Sequence, residues 1–222
     1  MAELAAHAHH DVNVAHQFDD AEQQKESVTV GMWAFLVNEV MFFGGLFGLY
    51  IVYRFLHPTA FQHASHHLDV TLGTFNTAVL IGSSLTMALA VHAAQMSHNR
   101  FRQIFWVMAT VVLGSVFLGV KVYEYYHKWV DHLIPGPNFH WPDAGEAHAV
   151  QIFYSLYFAM TGLHALHMII GVGIMAWLMW AMWKGRFGPA YHNPVEVCGL
   201  YWHFVDIVWI FLFPLLYLIG RH

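Results

Sequence analysis

The chain has 222 residues, 58% of them hydrophobic and only 10% charged, a balance outside the range of water-soluble domains. Nine Lys and Arg against fourteen Asp and Glu give a formal charge of −5, which denies it the basic surface that nucleic-acid binding requires. The single cysteine, Cys198, excludes an internal disulfide framework and a Cys-based zinc or iron–sulfur site, while nineteen histidines call for explanation by position.

Residues 1–30 form a polar, acidic segment with Glu3, Asp11, Asp19, Asp20, Glu22 and Glu26 against Lys25, and with His7, His9, His10 and His16. It lacks the basic start and apolar centre of a signal peptide and reads as an aqueous tail, partly disordered or structured only against a partner. Five windows then meet the roughly 20 apolar residues that a helix needs to cross a bilayer core about 30 Å thick. They are residues 31–56, 70–94, 104–125, 150–183 and 199–219. The fold class is therefore all-α, a polytopic bundle of five transmembrane helices occupying residues 31–222. Residues 126–148, with Pro135, Gly136, Pro137 and Pro142, are too polar and broken for a membrane helix and read as an aqueous excursion. Basic residues mark the cytoplasmic side. Lys25, Arg100, Arg102, Lys184 and Arg186 fall on one side and Arg54, Lys121, Lys128 and Arg221 on the other, so the N-terminus is placed inside and the C-terminus outside.

A charge at bilayer depth is costly, so each intramembrane ionisable group is a candidate for function. Glu39 lies in "NEVMFFGG", with Gly44 and Gly45 one to two turns on, where a neighbouring helix could approach. It is either a proton-responsive or ligand-binding carboxylate, or a protonated group hydrogen-bonded between helices. His164 and His167 stand three apart on the fourth span and, with His203, could make a three-histidine metal site. Interhelical hydrogen bonding by neutral imidazoles is the favoured alternative. His203 and Asp206, three apart on the fifth span, are spaced for a hydrogen bond along one helix face, and Lys121 and Glu124 for an ion pair near the interface. No Gly-rich phosphate loop, Ser nucleophile elbow or Cys redox motif is present, and no internal repeat supports a transporter.

Four motifs in order, "NEVMFFGG", "LGVKVYEYYHKW", "FYSLYFAMTGLHALHMIIG" and "YWHFVDIVWIFLFPLLYL", resemble subunit III of the haem-copper oxidases, over residues 32–220. The Glu motif already sits in the first span, so the chain resembles the short five-helix form rather than the seven-helix one. The resemblance implies a non-catalytic accessory subunit of a complex that passes electrons from cytochrome c to dioxygen and pumps protons. Haem and copper are then expected in partner subunits I and II and none on this chain, with phospholipid bound. It implies packing on subunit I, neighbours in subunit II and a small subunit IV, a place in a respiratory supercomplex, and a bacterial inner-membrane location. Glu39 matches the family's buried carboxylate, supporting proton uptake. His164, His167, His203, Asp206, Lys121 and Glu124 match its lipid or interhelical polar contacts. A quinol oxidase subunit III and a nitric oxide reductase accessory protein are the near alternatives. A free-standing His-ligated metalloprotein and a small proton-coupled transporter are the distant ones.

Overall fold

A computed structural model describes residues 17–96, 99–187 and 192–218. Six α-helices follow in chain order: α1 (Ala21–Leu56), α2 (Pro58–His66), α3 (Val70–Met96), α4 (Arg100–Val130), α5 (Ala147–Trp183) and α6 (Asn193–Phe213). A π-helical turn at Pro214–Leu218 continues α6, beginning at the proline that cannot donate the next α-helical hydrogen bond. Five of the helices are long and apolar enough to cross a membrane, and no strand occurs among the described residues.

Each apolar window falls on one of the long helices, but the helix ends differ from those of the windows. Residues 21–30, assigned above to an aqueous tail, are the first three turns of α1. Asp20 caps that helix by accepting from the Gln23 amide at 2.7 Å, and Glu22 lies favourably at the positive end of the helix dipole. At 36 residues α1 is about 54 Å long, well beyond a 30 Å core, so its polar first turns stand clear of the lipid. Residues 1–16 of the expected tail, including its four histidines, lie outside the described residues.

The excursion is also shorter than expected. Helix α4 runs on to Val130 because Lys128, buried against α2, donates to the free carbonyl of His67 at 2.7 Å. The nine-residue α2, absent from the expected spans, starts at Pro58 after a break at His57 and buries Ala60, Phe61, Ala64 and Ser65 on one face. Ser65 donates to the Leu216 carbonyl at 3.0 Å, and Phe61 meets Phe153 edge-on at 5.3 Å, so α2 is clamped over the ends of α5 and α6.

Helices α3, α4, α5 and α6 close into a four-helix bundle, and α1 leans on α5 and α6 from outside. Two indole bonds give the direction of packing. Trp202 donates to Ser83 and Trp209 to Thr77, each at 3.1 Å, so moving up α6 moves down α3 and the two helices are antiparallel. Trp202 is fully buried between glycines: a Cβ on Gly114 would stand 2.7 Å from its ring and one on Gly171 3.0 Å. By contrast Gly44, Gly45 and Gly48 on α1 have nothing within 4 Å, so the close approach expected at Gly44 and Gly45 is not made among the described residues.

Gly114→Ala should therefore destabilise the detergent-solubilised subunit by about 1–3 kcal/mol, since the trapped indole has no room to retreat. Gly44→Ala should be neutral or slightly stabilising. Unfolding titrations of the two variants in mixed micelles check the contrast, and equal behaviour would deny Trp202 its wedge role.

Candidate functional site

Glu39 is brought to His167, not to a residue of its own helix. Glu39 Oε2 lies 3.2 Å from His167 Nε2, with both side chains mostly buried. His167 Nδ1 is 2.9 Å from the Leu163 carbonyl, and a carbonyl can only accept, so Nδ1 carries a hydrogen. The neutral imidazole is then unprotonated at Nε2. A proton placed between that lone pair and Glu39 Oε2 would be shared by the two groups. The Nε2 contact lacks good hydrogen-bond alignment, and Glu39 Oε2 has no other partner, so the oxygen remains able to take a further donor.

A cavity of about 460 Å³ opens at this pair, walled by Met32, Phe35, Ile170, Ile174, Val197, Cys198 and Tyr201. The walls come from α1, α5 and α6, which is why the outside packing of α1 matters. Tyr201 donates to the His167 carbonyl at 3.0 Å and lies 5.9 Å from the Phe35 ring, bracing the cavity across all three helices. Phe43, 5.4 Å from the His167 ring, closes its other side.

His164, three residues away, faces elsewhere. It is 1% exposed, packed against Phe117 at 5.4 Å and Trp209 at 5.2 Å, and neither ring nitrogen has a hydrogen-bond partner. Among the described residues the interhelical hydrogen bond expected of it is not formed. His203 bonds Ser84 across to α3 at 2.7 Å, and the Ser84 hydroxyl is also the polar neighbour of the buried Asp206, so among the described residues the two side chains meet at Ser84 and the expected direct His203–Asp206 bond is not formed. His164, His167 and His203 thus look toward three different surroundings. No group of three His, Cys, Asp or Glu that could hold a metal stands together among the described residues.

The Lys121–Glu124 ion pair is present at 2.8 Å and enclosed by the protein, the two side chains each 4% exposed. Tyr217 completes it. Lys121 Nζ donates to Tyr217 Oη at 2.8 Å, and Tyr217 Oη donates to Glu124 Oε1 at 2.5 Å, with Tyr157 Oη 3.3 Å away. The ammonium also stands 4.6 Å from the Trp209 ring centre. Tyr157, Tyr201 and Tyr217 lie within the quoted motifs and Ser84 outside them, but no spacing along the chain names any of them as a polar partner, because helix packing makes that choice.

Comparison with known proteins bears on the whole chain. The family model described as cytochrome c oxidase subunit III matches residues 7–221. The cytochrome c oxidase subunit 3 of Thermostichus vulcanus is 31% identical over 205 residues, covering 91% of this chain and 92% of that protein. That of Corynebacterium diphtheriae is 34% identical over 194 residues, 86% of this chain and 88% of the relative. The cytochrome bo(3) ubiquinol oxidase subunit 3 of Pseudomonas aeruginosa is 30% identical over 209 residues, 93% and 92% respectively.

Tyr217→Phe should cost about 1.5–3 kcal/mol, the range for a hydrogen bond to a charged group. Glu124→Ala should cost about 3–5 kcal/mol by stranding the Lys121 charge. His164→Phe should be neutral or stabilising, because no polar contact is lost and the aromatic packing is kept. Unfolding of the three variants in mixed micelles gives the order, and a His164→Phe loss as large as that of Tyr217→Phe would contradict the assignment.

Proposed function

The chain belongs to the cytochrome c oxidase subunit III family, and on that premise we propose that it is the non-redox accessory subunit of a proton-pumping terminal oxidase that takes electrons from cytochrome c. Membership makes it part of a haem-copper oxidase, an oxidoreductase complex in the membrane. The contact that carries the finer reading is Glu39 beside His167 on an apolar cavity within the lipid-spanning part of the bundle. A proton shared by two neighbouring groups leaves the pair without net charge, and the attraction between the partners offsets part of the desolvation cost that a lone ion in the bilayer would meet in full. Such a pair is suited to holding and passing a proton toward the uptake path of subunit I. The apolar walls suit an acyl chain of bound phospholipid.

In this reading haem and copper reside in subunits I and II, and this chain's residues orient the partner, exclude water and hold a proton. Subunit I packs directly against the bundle, with subunit II, a small subunit IV and a respiratory supercomplex as further neighbours. The open glycine face of α1 is where two additional helices, supplied by subunit I, would replace those that the short form lacks. A partner subunit I without extra helices would refute that placement. The location is the bacterial inner membrane, with the N-terminus cytoplasmic and the C-terminus outside. A quinol donor is the second reading, favoured by the coverage of the Pseudomonas aeruginosa ubiquinol oxidase subunit. A dinuclear-copper motif in the accompanying subunit II would decide for cytochrome c, and its absence for quinol.

Glu39→Gln should assemble, because the amide can donate to Nε2 as a protonated carboxyl would. Initial turnover of the purified oxidase should be near normal and its turnover lifetime shortened several-fold. Fully normal kinetics across pH would leave the carboxyl a packing group. Mild-detergent purification with reduced-minus-oxidised spectra should find haem travelling with subunit I and lost from this chain on stripping. A redox signal retained by the isolated chain would overturn the accessory role.

A further inference from the structure

The cavity beside Glu39 and His167 is more selective in composition than an acyl chain requires. Its volume of about 460 Å³ lies within the range of about 300–1,000 Å³ common to small-molecule sites, which join apolar and aromatic walls to a few placed polar groups. The two ionisable groups here stand side by side. Glu39 Oε2 and His167 Nε2 lie 3.2 Å apart in poor hydrogen-bond alignment, and Oε2 has no hydrogen-bond partner among the described residues. An occupant that donates to that oxygen satisfies a buried group otherwise left without a donor.

The walls are of two kinds. Met32, Phe35 and Tyr201 offer a thioether and two rings, the rings 5.9 Å apart, and such groups favour contact with another planar ring over a saturated chain. Ile170, Ile174 and Val197 are aliphatic, the surface that a branched apolar tail covers. The lining runs from Val197, one turn into α6, to Glu39 at the middle of α1. Phe35 and Ile170 are also exposed on the outside of the bundle, so the cavity opens sideways toward lipid. No Lys or Arg lines it, and the phosphate of a phospholipid finds no cation there beyond the His167 ring. A phospholipid therefore has a chain to place in the cavity and leaves Oε2 without a donor.

We infer that the cavity binds the aromatic headgroup of a membrane quinol, with one hydroxyl donating to Glu39 Oε2 and the ring lying along Phe35 and Tyr201. A quinol is the class of membrane-soluble molecule that joins a donor hydroxyl, a planar ring and an apolar tail. Its hydroxyl both donates and accepts, so it also takes a hydrogen from Nε2 when the His167 ring is cationic. The tail follows the aliphatic wall out between α1 and α5 into lipid. Binding breaks no covalent bond and moves no electron. The inference deepens the proposed reading of the Glu39 cavity, rests on it for the membrane setting, and holds whichever electron donor the oxidase uses.

The test is native mass spectrometry of the delipidated, intact oxidase complex, kept anaerobic and fully reduced, titrated with decylubiquinol or with its dimethyl ether and scored for ligand retained on this subunit. Decylubiquinol should be retained about tenfold more strongly, the worth of one hydrogen bond to a charged group. Glu39→Leu should abolish that preference, while Glu39→Gln, whose amide oxygen still accepts, should keep part of it. Ile174→Phe leaves the pair intact and narrows the cavity, so it should lower retention of both ligands several-fold, and it decides should Glu39→Leu fail to assemble. Equal retention of quinol and ether by the wild type, an undiminished preference in Glu39→Leu, or undiminished retention by Ile174→Phe would overturn the site. Displacement of decylubiquinol by equimolar phosphatidylcholine would overturn the quinol assignment in favour of an acyl chain. The turnover lifetime of Glu39→Gln separates this inference from the reading beneath it. A shortened lifetime without any quinol preference sinks the ligand and keeps the proton-handling pair, and a normal lifetime with the preference intact does the reverse.

Discussion

A lysine and a glutamate buried within a membrane bundle must be answered from inside the protein, and this requirement organises the ends of the helices. Lys121 and Glu124 share one face of α4, but an ion pair alone leaves donors and acceptors over. Tyr217 fills both deficits by accepting from the ammonium and donating to the carboxylate. To be there it must lie beyond the end of α6 proper, on the π turn begun by Pro214. The same turn presents the Leu216 carbonyl to Ser65 of α2. One satisfied charge pair thus fixes the course of the C-terminal segment, which in turn anchors the short helix that covers the bundle. Lys128, two turns along α4, repeats the logic by meeting the loose carbonyl at the end of α2.

The five spans were legible because lipid imposes a minimum apolar length that few other constraints mimic. Their ends were not. Residues 21–30 are polar, and polarity separates water from lipid without separating helix from coil. The Asp20 cap and the run of Ala, Gln, Glu and Lys that follows are the local signals that outweigh it. Helix α2 is too short for a membrane test and shows itself mainly in the i, i+4 spacing of Ala60 and Ala64 around Phe61.

The polar residues themselves were also legible, but several of their partners were not. Spacing along one chain draws attention to His164 with His167, and to His203 with Asp206. Three residues advance a helix by about 300°, leaving the two side chains roughly 60° apart around the axis. In a packed bundle that angle is enough to aim them at different neighbours. His164 looks into the aromatic centre between Phe117 and Trp209, while His167 looks at α1. His203 turns to Ser84 on α3. Lys121 with Glu124 is the pair for which intrahelical spacing and contact coincide, because long flexible side chains can close the same angle.

Two buried carboxyl groups therefore carry opposite properties. Glu124 has both oxygens bonded within a ring of fully enclosed partners, so moving its proton or charge would disturb three helices at once. Glu39 has one near neighbour, poor alignment to it, an oxygen left over and an apolar cavity in front. Fixed hydrogen bonding makes the first a structural tie. The spare acceptor gives the second the freedom that proton handling or ligand contact requires, and the Leu163 carbonyl, by holding a hydrogen on Nδ1, leaves Nε2 as the ring nitrogen that faces Glu39.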